Sequence, residues 1–128
     1  MEEHGSYSFE WQGDILVLSL FGGFNEQAIN RFFLQVTESI LTSARPRWVL
    51  LSSVDEAMLG SPEVISIIKS AYMWGIDHGC VAAAISGANL VVRSIFSSYF
   101  EDLAFNTQNF DEKSEALLWL TAQLKENE

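Results

Sequence analysis

Arg47 to Val64 reads RWVLLSSVDEAMLGSPEV, and its reading decides the fold. Trp48, Val49, Leu50 and Leu51 form a short apolar run bounded by Pro46 and two serines, the pattern of a strand buried on both faces. After a loop come Ser61 as N-cap, Pro62 at the first helical position and Glu63 in the first turn, together the clearest helix start in the chain. Strand, loop and helix in this order imply an α/β protein. In such proteins the carboxyl end of a central strand is where ligands and partners meet the domain.

Working outward towards the amino terminus, Arg45-Pro46 stops a preceding helix that begins at Asn25 and carries Ile29, Phe33, Val36 and Ile40 on one face, with Phe32 beside them. Before it, Ile15 to Phe21 is a nearly unbroken apolar run. Tyr7, Phe9 and Trp11 alternate with Ser8, Glu10 and Gln12, so the two runs, joined at Gly13-Asp14, predict an antiparallel hairpin with one wet edge. The Asn25 to Ser43 helix then supplies the crossover that a parallel strand pair requires.

Towards the carboxyl terminus, the second helix carries Val64, Ile68, Ala71 and Trp74 at helical spacing, widened by Ile65, Ile67 and Tyr72, and Gly79 is its expected stop. Cys80 to Ile85, CVAAAI, reads as a strand of small residues against which another element packs closely. A turn at Ser86 to Asn89 leads into a third helix with Val92, Ile95, Phe96, Tyr99 and Leu103 on one face. Phe105 to Phe110 is either a fourth parallel strand or a loop, and Asp111 opens a last helix with Ala116, Leu117, Leu120 and Leu124 apolar. The predicted order is ββαβαβα(β)α. This is one α/β domain over 1–128, with a mixed sheet of four to five strands, about four helices and a mobile tail at 1–5.

Seven basic residues against seventeen acidic ones give a net charge of -10, which repels nucleic acid and anionic membrane surfaces. Arg45 and Arg47, the close basic pair, read as a solvated loop. A single cysteine, Cys80, excludes an internal disulfide, and there is no paired Cys/His spacing for zinc. The acidic start MEEHGSYSFE is unlike a signal peptide, and no apolar run reaches the ~18 residues of a membrane span. A cytoplasmic, soluble protein without an integral membrane segment is expected.

The chain resembles the SpoIIAA-like superfamily, which includes STAS domains and bacterial anti-sigma-factor antagonists. The resemblance rests on the element order and on the closing stretch, Phe110-Asp111-Glu112-Lys113 followed by Glu115-Ala116-Leu117-Leu118-Trp119-Leu120, which is similar to the ending of SpoIIAA-like proteins of undefined function. It implies the mixed-sheet fold and a regulatory, partner-binding role. In the antagonist branch the strand-loop-helix junction carries a D-S-S-G-L type motif whose serine a partner kinase phosphorylates. The matching stretch here is Gly60-Ser61-Pro62-Glu63-Val64, in which only Ser61 is kept, and Leu51 stands where an acid is expected late in the preceding strand.

Ser61 is accounted for as an N-cap worth ~1 kcal/mol, and Glu63 in the same turn opposes a phosphate there. Phosphorylation of Ser61 is thus the weakest of three functional readings. Gly22-Gly23-Phe24-Asn25-Glu26 lacks phosphate-loop spacing, whereas Ser86-Gly87-Ala88-Asn89 has no acid in the following turn and is followed by Arg93, making it the better candidate for a small anion. Neither His78 with Cys80 nor Asp55 with Glu56 completes a nucleophile-base-orienter set, so no enzyme, metal or cofactor is expected. The leading expectation is a regulatory protein-interaction module that binds a protein partner at the junction near Ser61 and Glu63 and on the exposed surface of the second helix. The alternative is a carrier or sensor of a small apolar or amphipathic, lipid-like ligand, with Tyr72 and Trp74 among its aromatic lining, held between the second and third helices. The aromatic excess is also compatible with a homodimer, although no symmetric patch specifies one.

Overall fold

The computed structural model describes residues 6–55, 62–101 and 105–126, without the side chains of 99 and 100. Its elements are β1 (Ser6–Gln12), β2 (Ile15–Phe21), α1 (Glu26–Ser43), β3 (Trp48–Val54), α2 (Pro62–Asp77), β4 (Cys80–Ser86), α3 (Leu90–Phe100), β5 (Thr107–Phe110) and α4 (Lys113–Glu126). The five strands lie side by side in chain order, with β1 antiparallel to β2 and every later neighbour parallel. The ambiguous 105–110 stretch therefore contains the fourth parallel strand, at the sheet edge.

Handedness decides where the helices go. Successive parallel strands added in one direction through right-handed crossovers place every connecting helix on the same face. α1, α2 and α3 accordingly share one face, over Leu16, Leu18 and Leu20 of β2, Leu50 and Val54 of β3, and Ala83 and Ile85 of β4. α4 follows the last strand and covers the opposite face, where Ile15, Val17, Val49, Leu51, Ala82 and Ala84 meet its Ala116 and Leu120. Both faces of β2 to β4 are covered, which is why these strands read as continuous apolar runs. Each fully buried Leu, Ile or Val contributes about 1.5–3 kcal/mol through the water it sheds.

The small residues of β4 serve α4: Ala82, Ala84 and Ala116 are wholly buried, so the helix backbone can approach the sheet closely. α1 turns its apolar stripe inward on Ala28, Ile29, Phe32, Val36 and Ile40, with Phe32 rather than Phe33 at its buried centre. Trp48 pairs with Cys80 and Val49 with Ala82, which makes Val81 the extra residue of a bulge at the start of β4. α3 follows the predicted turn and is capped by Asn89, and Val92 and Phe96 are buried; Leu103 and the Tyr99 side chain lie outside the described residues. On α4, Gln123 joins the buried side, its amide oxygen accepting from Asn106 Nδ2 just before β5.

Candidate functional site

The parallel strands end level with one another. Leu20 is opposite Val54, Ser53 opposite Ser86 and Ser86 opposite Phe110, so Phe21, Asp55, Gly87 and Asp111 open a common rim at the carboxyl end of the sheet. The loops of this rim hold one another. The Gly22 N–H donates to both carboxylate oxygens of Asp55, at 3.1 and 3.2 Å, tying the end of β2 to the end of β3. The Gly87 N–H donates to the carbonyl of Phe110 at 3.2 Å, tying β4 to β5. Gly87 has a φ of +89°, and a Cβ there would lie 2.2 Å from the carbonyl oxygen of Val54, so only glycine fits.

The starts of α1 and α3 on the rim are likewise satisfied from within. Asn25 Oδ1 accepts the Ala28 N–H and Asn89 Oδ1 the Val92 N–H, both at 2.9 Å. Arg93 Nε donates to the carbonyl of Ala88 at 2.9 Å, and its Nη2 pairs with Asp111 Oδ1 at 2.8 Å. Of the predicted anion candidates, Ser86 is buried, Gly87 is a strand-to-strand tie, Asn89 is a cap and Arg93 is engaged by an acid from the β5–α4 turn. The candidate at Ser61 lies outside the described residues, as does Glu56. Glu63 is exposed in the first turn of α2.

Beside these paired polar groups, large apolar side chains stand in solvent. Phe21 at the end of β2 is 46% exposed, and Leu90 and Val91 in the first turn of α3 are 81% and 60% exposed. The acids Glu26, Glu63, Asp111, Glu112 and Glu115, from three helix starts and the turn before α4, are exposed at the same end. Sequence periodicity does not single out Leu90 and Val91. The available signal is their position directly after an N-cap, off the Val92–Phe96 stripe, where a polar or acidic residue is usual.

The aromatic candidates do not belong to this rim. Tyr72 lies under α2, its hydroxyl 3.4 Å from Ser52 Oγ, and burial pushes that hydroxyl up to about 12. Trp74 is at the other end of the helix, stacked on His78 with centroids 3.9 Å apart. The His78 Nδ1–H donates to the Trp74 carbonyl at 2.7 Å, which commits the ring. Cys80 is buried, its thiol donating to the Ala82 carbonyl at 3.4 Å and pushed up to about 12 by burial, so at neutral pH it is a protonated core side chain.

Tyr72 does line a cleft of about 320 Å³ between α2, α3 and β5, with Ile85, Phe96 and Phe105 as its apolar wall and Ser97, Glu101, Thr107 and Asn109 as its polar one. Ile85, Phe96 and Tyr72 also border an apolar slot of only about 50 Å³ beneath α1 and α2, to which Trp74 contributes. Among the described residues no group of three or more His, Cys, Asp or Glu could hold a metal ion, and no helix is long and apolar enough to cross a membrane.

No protein-family model and no curated protein matches this chain. In three dimensions it is similar to an uncharacterized protein of the DUF3478 family with a SpoIIAA-like fold from Shewanella loihica, with a TM-score of 0.65 and 19% identity, over 94% of this chain and 96% of that one. It is also similar to an anti-sigma factor antagonist from Mycobacterium paratuberculosis, with a TM-score of 0.65 and 14% identity, over 92% of this chain and 95% of that one. The element order and the Phe110 to Leu120 ending thus lead to the fold they imply, a SpoIIAA-like α/β sheet shared with an antagonist of an anti-sigma factor.

Proposed function

We propose that this SpoIIAA-like protein is a non-enzymatic regulatory module that docks a protein partner on the carboxyl-end rim of its sheet. The observation that carries the reading is the division of labour on that rim. Among the described residues, Asp55, Asn25, Asn89 and Arg93 are spent on ties within the rim, while Phe21, Leu90 and Val91 are left in water beside exposed acids. A catalytic site needs the reverse, reactive polar groups aimed at a substrate and apolar walls out of solvent. Exposed apolar residues bordered by charge suit a docking surface. The acids around them favour a partner face that is basic as well as apolar, and they oppose the docking of a second copy rim to rim.

Capture of partners by cross-linking, with identification by mass spectrometry, tests this. A partner should be recovered by the native chain and lost by the Leu90→Ser/Val91→Ser variant, whose fold is checked by circular dichroism. Recovery of the same proteins by both would overturn the reading.

A second reading is favoured by the cleft between α2 and α3, the place expected for a small amphipathic ligand. Its mixed lining and its volume of about 320 Å³ fit a ligand at the small end of the usual range. Native mass spectrometry of gently purified protein tests it, since a carrier retains extra mass and a bare spectrum counts against one.

A further inference from the structure

The lining of that cleft is more specific than a general apolar pocket. Three aromatic rings reach it from three separate parts of the chain: Tyr72 from α2, Phe96 from α3 and Phe105 from the segment entering β5. Among the described residues that line it, Glu101 at the end of α3 is the charged one, and no lysine, arginine or histidine joins it. Phe96 is 8% exposed and forms a fixed back wall, Phe105 is half-buried against the helical core, and Glu101 is exposed at the mouth. We propose that this cleft is an aromatic cage for a small alkylammonium ion, a trimethylammonium compound or a related methylated amine, an assignment that rests on the carrier reading above.

The chemistry is complementary on each count. A methylated ammonium carries a diffuse positive charge on an apolar surface and is held by ring faces and a nearby carboxylate rather than by directed hydrogen bonds. Aromatic walls with one acid at the mouth supply both. An anionic or phosphorylated ligand would face Glu101 in a chain of net charge -10, with no cation among the described lining residues to receive it. Ser97, Thr107 and Asn109 form an exposed polar wall, where the hydroxyl of a choline-like ligand can meet them. Burial keeps the Tyr72 hydroxyl neutral, so its ring presents no phenolate to compete with the carboxylate.

The test is a titration of the full chain with choline chloride and, separately, with dimethylbutanol, the neutral analogue that has carbon in place of the charged nitrogen. Tyr and Phe ring resonances are followed by NMR in the native protein and in Glu101→Gln, an exposed position whose substitution leaves the core intact. We expect saturable shifts with choline and binding of the neutral analogue weaker by about fivefold or more. Glu101→Gln should lower choline affinity by at least about threefold while leaving the analogue unchanged. Equal binding of choline and its analogue would overturn the ammonium assignment but leave an apolar carrier standing. Absence of saturable binding by either would also overturn the assignment, and the retained-mass experiment then decides the carrier reading independently.

Discussion

At the amino end of the parallel strands the aromatic and charged side chains are consumed by packing against each other, whereas at the carboxyl end apolar side chains of comparable size are left in solvent. At the amino end Trp11 meets Trp48 edge-on with centroids 5.8 Å apart, and the Arg45 guanidinium lies 3.9 Å from the centre of the Trp11 ring. Arg45 also pairs with Asp14, the Trp11 Nε1–H donates to Ser39, and the Trp48 Nε1–H donates to the His78 carbonyl. Gly79 is wedged there with a φ of +104°, where a Cβ would lie 2.6 Å from the Pro46 carbonyl oxygen. Residues that resemble functional groups, an arginine, a histidine and three tryptophans, are therefore structural at this end. At the other end the backbone ties are equally firm, but Phe21, Leu90 and Val91 contribute nothing to them. The difference teaches that in this chain residue type is a poor guide to function, and neighbouring exposed apolar residues such as Leu90 and Val91 a better one than a single exposed leucine such as Leu41.

The contrast can be broken first where it is strongest. Trp48→Ala removes the largest fully buried side chain and should cost about 3–5 kcal/mol in denaturant unfolding, because the pocket it leaves is walled by elements that cannot collapse together. Gly87→Ala, at the carboxyl end, should cost roughly 2–4 kcal/mol, since the new Cβ meets the Val54 carbonyl in a left-handed conformation. Gly13→Ala, at a φ of +61° with nothing near the new atom, should cost only about 1–2 kcal/mol from backbone strain. If the two glycine variants unfold alike, the strand-to-strand tie at Gly87 is not the constraint described.

Alkaline unfolding sharpens the comparison further. Cys80, ordinarily titrating at 9.0, and Tyr72, ordinarily at 10.0, are both pushed up to about 12 by burial. Their folded-state pKa values are raised, so the stability linked to keeping them protonated is complete below pH 9.0 and is lost as pH rises towards about 12. Denaturant midpoints should decline over that window, and the decline should begin about one pH unit later in Cys80→Ala, where only the tyrosine remains. An unchanged onset would contradict the account of Cys80 as a buried thiol.

Much of this architecture is legible in the sequence. The hairpin, the order of strands and helices, the Asn25 cap, the turn into α3, the Gly79 stop and the close packing on the alanines of β4 all follow from local patterns. What is not legible has physical reasons. Thr107–Phe110 is a short edge strand exposed along most of its length, so no alternation marks it; its identity comes from pairing with β4. Gln123 is buried because Asn106, distant in sequence, meets its amide. The cleft draws its lining from α2, β4, α3, β5 and the segment before β5, and no window of sequence contains such a set. Leu90 and Val91 look like core residues until the helix is oriented, after which only the neighbouring Val92 faces inward.

The smallest expected change in stability accompanies the largest change in function. Leu90→Ser/Val91→Ser should alter folding stability by no more than about 0.5 kcal/mol, because both side chains are already in water. Leu41→Ser, near the amino end of the sheet at 61% exposure, is the matched control. The most direct measurement is the affinity of a captured partner for the native chain and for these two variants, at constant ionic strength. The account predicts a loss of at least about tenfold for the rim variant and no change for Leu41→Ser. Equal affinities for all three chains would contradict the assignment of the carboxyl-end rim as the docking surface.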